Sequence, residues 1–189
     1  MRLCVPAASL DIEGFAVHRL QSKMQYADFS NESTIETIYC SELEDHIVKM
    51  TGAKNVRVLD YQLRRKSPSF PYFQGKLPPR PQPSLVAHVD LTPETAENIV
   101  RELYKDTAEQ ILRSRYQIIT WYWLPDHQTD EILVFNAFDS EALSSSPCAH
   151  GAFPLPGEHG DAPARESIDA RLLVMYADIK YPAPQPQSI

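Results

Sequence analysis

The stretch SIDARLLVMYA, residues 167–177, limits the possible folds more than any other part of the chain. In an extended strand Asp169, Arg171, Leu173 and Met175 share one face, while Ile168, Ala170, Leu172 and Val174 share the other. Both faces are largely apolar, so the strand must be covered on both sides. Two more runs, YQIITWYWL (116–124) and EILVFNAF (131–138), are apolar, β-branched and aromatic, and the turn-like PDHQTD separates them. The second half of the chain is therefore expected to be sheet.

The first half mixes helix and strand. FAVHRLQ (15–21) reads as a strand. In SNESTIETIYCSELEDHIVKMTGA (30–53), Ile35, Ile38, Tyr39, Leu43, Ile47 and Met50 recur at helical spacing; Asn31 or Ser33 can cap the start and Gly52 can close the end. NVRVLDYQLRR (55–65) alternates Val56, Val58 and Tyr61 and is expected to be a strand. Residues 67–83 hold six prolines and one glycine and must form an extended loop. DLTPETAENIVRELYKDTAEQILR (90–113) is expected to be one helix, capped by Thr92 with Pro93 in its first turn.

Helices early and strands late predict a mainly β architecture with flanking helices, a β-sandwich or jelly roll. The expected organisation is a single domain over 1–181. It divides into an α/β lead-in over 1–66 and a jelly-roll core over 84–181, with a disordered Pro-rich tail over 182–189.

Charge and cysteine content narrow the function. A formal charge of -7, with no basic cluster beyond the LRRK of residues 63–66, argues against nucleic-acid or anionic-membrane partners. LRRK itself is expected to be a solvated strand end. Cys4, Cys40 and Cys148 lie far apart without CxxC spacing, which suggests neither a disulfide framework nor a zinc-thiolate site. MRLCVPAASL is too short and Pro-interrupted for a signal peptide, and no apolar run reaches membrane-spanning length. A cytoplasmic protein with a small-molecule partner is the expectation; oligomeric state is not readable.

Chemistry concentrates in SLVAHVDLTPET, residues 84–95. His88 and Asp90 project from one side of an extended segment. Such a pair is either a surface pair or two ligands of one metal. Of the other histidines, His18 and His46 are expected at the surface, His127 in a turn and His159 in a Gly-rich loop. His150 precedes the short apolar run GAF. His88, Asp90 and His150 would form a 2-His-1-carboxylate set, which binds one face of a ferrous ion and leaves positions open. Arg171 interrupts an apolar strand and needs an anionic partner. That partner is either an internal Asp or Glu or the carboxylate of a ligand.

VAHVDLTPE, WYWLPDHQTDEILVFNAFDS, AHGAF and RESIDARLLVMY, in that order, resemble blocks of a fungal hydroxylase/desaturase family of secondary metabolism. Its relatives include gibberellin desaturase-like proteins. Members are often labelled methyltransferases through likeness to a cephalosporin methoxylation protein. IYCSELEDHIVKMTGAKNVRVLDYQLRR is similar too, so the resemblance covers most of the chain. It implies a double-stranded β-helix of cupin type and a non-haem Fe(II), 2-oxoglutarate-dependent oxygenase acting on a small molecule. His88, Asp90 and His150 fall on the presumed iron ligands and Arg171 on the 2-oxoglutarate anchor, with Arg165 as the reserve. Tyr72, Phe73, Arg80, Trp121 and Trp123 are candidates to line the substrate pocket, with core packing the competing role for the tryptophans.

One departure stands out. In relatives several dozen residues separate the strand matching YQIIT from the Trp-Tyr block, whereas here Thr120 is followed at once by Trp121. The missing piece leaves the completeness of the barrel open. It also keeps alive an alternative, a truncated non-catalytic cupin-like paralogue or small-molecule binding protein. No Gly-rich nucleotide-binding strand-turn-helix supports the methyltransferase label.

Overall fold

Covering a strand that is apolar on two faces takes a layer on each side, and the chain supplies one helical layer per face. The computed structural model describes residues 8–67, 81–82, 84–121, 128–141, 147–151, 165–179 and 187–188. Within them a sheet forms from β1 (Phe15–Arg19), β2 (Asn55–Arg65), β3 (Tyr116–Trp121), β4 (Glu131–Asp139), β5 (Glu166–Met175) and the two-residue β6 (Gln187–Ser188). The strand order is β1-β4-β3-β5-β2-β6. Every pairing is antiparallel except that of β6 with β2, which is parallel.

One face of the sheet is covered by a helical run made of α1 (Glu32–Thr34), a π-helical segment (Ile35–Tyr39) and α2 (Cys40–Thr51). Asn31 caps it, its side chain accepting from the Thr34 N–H. Gly52 ends it at φ 70, in the left-handed region that costs glycine little. Ile35, Tyr39, Leu43 and Ile47 pack on Val56, Val58, Ile119, Val134, Leu172 and Val174. The opposite face is covered by α3 (Pro93–Tyr104) and α4 (Ala108–Leu112). There Ala96, Val100, Tyr104 and Ile111 pack on Tyr116, Ile118, Ala137, Leu173 and Met175. The even and odd residues of β5 thus belong to two separate cores, as its alternation requires.

Four expectations are corrected. The single helix over 90–113 is two helices, parted by a 3-10 turn at Lys105–Thr107 where Lys105 takes φ 32. The Thr107 hydroxyl donates to the Tyr104 carbonyl and so competes with helix continuation there. The tail was expected to be disordered, yet Gln187 and Ser188 pair with Asp60 and Tyr61, because β2 otherwise leaves an open sheet edge. Arg64 is not a solvated strand end: it is held by Asp169 and donates to the Gln82 carbonyl at 2.9 Å. His18 and His46 are half-buried and meet edge-to-face at 5.7 Å, because β1 and α2 pack together on that face of the sheet.

The described residues form one sheet with helices on both faces. Of an opposing second layer they include only an isolated antiparallel bridge between His88 and His150. Two irregularities in the sheet decide which side chains face that bridge. Between Val58 and Asp60 the β2–β5 register shifts by one residue, so Asp60 rather than Leu59 opposes Arg171. Between Ile118 and Ile119 the β3–β4 register shifts likewise, so Thr120 opposes Phe135. Bulges of this kind re-aim side chains without ending the ladder.

The imidazole pair makes stability pH-dependent. Burial lowers the pKa of both histidines from the ordinary 6.5, and at His46 the charges of His18 and Lys49 add to it. The folded chain therefore resists protons that the unfolded chain takes up. Stability is full above pH 6.5 and is lost as pH falls through the depressed folded values. The urea midpoint is expected to drop between about pH 7 and pH 5, and the His18→Gln/His46→Gln variant to show a flatter profile over that range.

Candidate metal centre

His88 and Asp90 lie in the extended segment before α3, whose N-cap Thr92 accepts from the Thr95 N–H. His150 is brought to His88 by main-chain pairing. The His88 N–H donates to the His150 carbonyl at 2.8 Å, and the His150 N–H returns the bond at 3.0 Å. This is a hydrogen-bonded antiparallel pair, so both side chains leave on the same side. The rings stand 4.4 Å apart. Gly151 keeps the two segments close: a Cβ there would lie 3.1 Å from the Val86 carbonyl oxygen and 3.2 Å from the Ala87 Cα.

The three side chains converge. His88 Nε2 lies 3.5 Å from Asp90 Oδ1, and His150 Nε2 lies 3.5 Å from Asp90 Oδ2. One ligand atom from each residue falls within 4.8 Å of the others. Ring orientation follows from the far nitrogens. His88 Nδ1 is 2.7 Å from the Val86 carbonyl and His150 Nδ1 is 3.2 Å from the Cys148 carbonyl. A carbonyl only accepts, so each Nδ1 carries the proton and each Nε2 of a neutral ring presents a lone pair. Two lone pairs then face two carboxylate oxygens across 3.5 Å, an arrangement that a cation between them would satisfy. The exposures suit a ligand set open on one side: the side chains of His150, Asp90 and His88 are 10%, 22% and 34% exposed, and Asp90 as a whole residue is exposed.

The sheet forms the floor of the site. The Phe135 ring lies 4.7 Å from that of His150, tilted by 48°. Phe135 is paired with Thr120, and the β3–β5 pairing ends at Ile119–Leu172, so Thr120 and Arg171 are the next positions along those two strands. Arg171 is in turn paired with Asp60. Phe135, Thr120, Arg171 and Asp60 thus make one row across β4, β3, β5 and β2 on the face below the triad. Thr120 is 5% exposed, and among the described residues its hydroxyl has no hydrogen-bond partner.

Charge in this row is balanced locally. Arg171 Nε donates to Asp60 Oδ1 at 2.9 Å and its Nη2 donates to Asp60 Oδ2. Of the two partners open to Arg171, the internal acid is the one present. Hydrogen bonding to Asp60 raises the guanidinium pKa, with burial opposing and the charge of Asp90 adding to the rise. Burial raises the Asp169 pKa, opposed by Arg64 and Arg165 and reinforced by Asp90. Asp90 therefore acts electrostatically on both Arg171 and Asp169.

Of the other predicted site residues, Arg165 stands just before β5, its carbonyl accepting from the Lys66 N–H at 2.9 Å. Trp121 ends β3, with its side chain outside the described residues, and Tyr72, Phe73, Arg80 and Trp123 lie wholly outside them. Asp60, Thr120, Phe135 and Gly151 were not singled out from sequence. For Asp60 a signal existed: a half-buried arginine in β5 calls for an acid on a neighbouring strand. The shifted register that selects this acid has no sequence mark.

The family described as "Oxidoreductase/YMDC permease-like domain" matches residues 1–121 and 119–175. The two matched pieces meet at the Thr120–Trp121 junction. The chain is 38% identical over 79 residues to the Aspirochlorine biosynthesis protein N of Aspergillus oryzae, covering 41% of this chain and 33% of that protein's length. It is 23% identical over 223 positions to the alpha-ketoglutarate-dependent dioxygenase tstK of Talaromyces stipitatus, covering 89% of this chain and 80% of the relative. That alignment is longer than the 189 residues available here, so the relative carries residues with no counterpart in this chain. The solved structure of the iron and alpha-ketoglutarate-dependent endoperoxidase NvfI superposes with a TM-score of 0.75 at 21% identity, over 90% of this chain and 81% of that one, and supports the jelly-roll-type fold. The chain belongs to this oxidoreductase family, as an internally shortened relative of the fungal Fe(II)/2-oxoglutarate dioxygenases and hydroxylase/desaturases of secondary metabolism.

Proposed function

We propose that this protein is an Fe(II)- and 2-oxoglutarate-dependent oxygenase that hydroxylates or desaturates a small-molecule intermediate of secondary metabolism in the cytoplasm. The observation that carries the proposal is the convergence of one ligand atom each from His88, Asp90 and His150 within 4.8 Å, with both Nε2 atoms 3.5 Å from the Asp90 carboxylate. His88, Asp90 and His150 would hold the iron. Two neutral nitrogens and one carboxylate suit a ferrous ion and leave coordination positions for co-substrate and dioxygen. When bound, iron and 2-oxoglutarate supply the oxidising power for removing hydrogen from an unactivated C–H bond.

The chain's own residues do the rest. The Val86 and Cys148 carbonyls hold the ring protons at Nδ1 and keep the Nε2 lone pairs turned toward Asp90. Phe135 backs His150 and excludes water from the sheet side of the ligands. Arg171 is the proposed anchor for the distal carboxylate of 2-oxoglutarate. It shares the face of β5 that carries Leu173 and Met175 and feels the charge of Asp90. Arg165 is the reserve anchor.

Three measurements test these roles. Asp90→Ala removes the sole anionic ligand and is expected to lower Fe(II) affinity by more than about 100-fold; unchanged metal content after desalting would count against the site. Arg171→Leu is expected to weaken 2-oxoglutarate binding by about 1.5–3 kcal/mol with iron affinity nearly intact. Loss with Arg165→Leu instead would transfer the anchor to that residue. Gly151→Ala pushes a methyl group against the Val86–Ala87 backbone and is expected to part His150 from His88. Its Fe(II) affinity should fall by about tenfold or more, whereas Gly52→Ala should leave affinity unchanged.

A further inference from the structure

Among the described residues the Arg171 fork is engaged on one edge only. Asp60 takes Nε and Nη2, and Nη1 has no partner among the described residues. Asp60 is paired with Arg171 on the β2 side, and on β3 Thr120 is the position that follows the last β3–β5 pair, Ile119–Leu172. Thr120 is buried, and its hydroxyl has no partner among the described residues. Arg171 thus lies between a carboxylate that fills its Nε/Nη2 edge and a buried hydroxyl that nothing described fills. A guanidinium is a rigid planar fork, so fixing one edge fixes where the other edge points. A free arginine side chain loses rotamer entropy when it is fixed, and a resident carboxylate removes much of that cost before any ligand arrives. Asp60 owes its place to the one-residue register shift after Val58.

We infer that Asp60 is a positioning residue for co-substrate binding: it clamps the Nε/Nη2 edge of Arg171 and leaves the Nη1-bearing edge, beside the Thr120 hydroxyl, to take the distal carboxylate of a 2-oxo dicarboxylate. This rests on the reading of Arg171 as the anchor. Asp60 acts through Arg171 and touches neither iron nor substrate. Its effect must therefore vanish when the guanidinium is gone, which a general contribution to stability would not do.

The test is a double-mutant cycle on the full chain, loaded anaerobically with Fe(II) and titrated with 2-oxoglutarate. Binding is read from the visible charge-transfer band and independently by calorimetry. Asp60→Ala is expected to weaken 2-oxoglutarate binding about tenfold, and Asp60→Asn, which keeps one acceptor oxygen, by about threefold. Fe(II) affinity should stay within about twofold in both. In an Arg171→Leu background Asp60→Ala should have no further effect on 2-oxoglutarate. Unchanged or tighter binding by Asp60→Ala would overturn the inference, since Asp60 would then be idle or a competitor for the fork. Equal losses in both backgrounds would overturn it as well. If Asp60→Ala does not fold, Asp60→Asn decides by the same criteria. A wild-type protein that binds Fe(II) but no 2-oxoglutarate would sink the proposed function itself, and the Asp60 role with it.

Discussion

The structure depends on the burial of β5 from both sides. Its pairing with β2 and β3 puts it in the sheet interior, where Leu172 and Val174 enter one core and Leu173 and Met175 the other. Each of these four residues is at most 3% exposed. An arginine on such a strand cannot stand alone, because a buried unpaired charge is prohibitively costly. Asp60 answers that demand, and Arg64 with Asp169 repeats the solution two residues along β5. The polar end of this sheet face follows from the apolar end: once two helical layers cover the sheet, any charge on it must be matched in place.

The candidate metal centre is built with little help from regular structure. His88 and Asp90 sit on an extended segment and His150 on another, and two main-chain hydrogen bonds plus a glycine hold the segments together. Backbone carbonyls then orient both rings. Backbone-built sites are compact but sensitive to spacing, since a shift of about 1 Å at a ligand separates the set. The sheet below contributes rigidity through Phe135 rather than ligands.

The junction at Thr120–Trp121 bears on both. Family matches meet there, yet β3 runs through Trp121 without interruption, since no turn residue lies in IITWYW to stop it. The junction therefore falls inside β3, and the β3–β4 ladder stays in register across it, pairing Thr120 with Phe135 and Trp121 with Val134. The Thr120 hydroxyl is buried at this very junction, on the row that links Phe135 to Arg171. The oxygenases among the relatives argue against a merely structural cupin-like paralogue.

Sequence alone determined the five long strands, a first cap at Asn31 or Ser33, the Thr92 cap, the glycine stop at Gly52 and the helix on each flank. Those features rest on local propensity and short-range periodicity. The i, i+2 geometry of His88 and Asp90 and the apolar alternation of β5 were legible for the same reason. The split after Tyr104 was not, because one positive-φ residue decided it against an otherwise continuous helical pattern. What brings His150 to His88, Asp60 to Arg171 and Thr120 to Phe135 is pairing between distant segments. In two of those three cases a one-residue bulge chooses the partner. A register shift of one residue reverses which face a side chain occupies, and the free energy that selects it comes from packing across the whole sheet. That selection exists only in the tertiary structure, since no short window of sequence contains both strands.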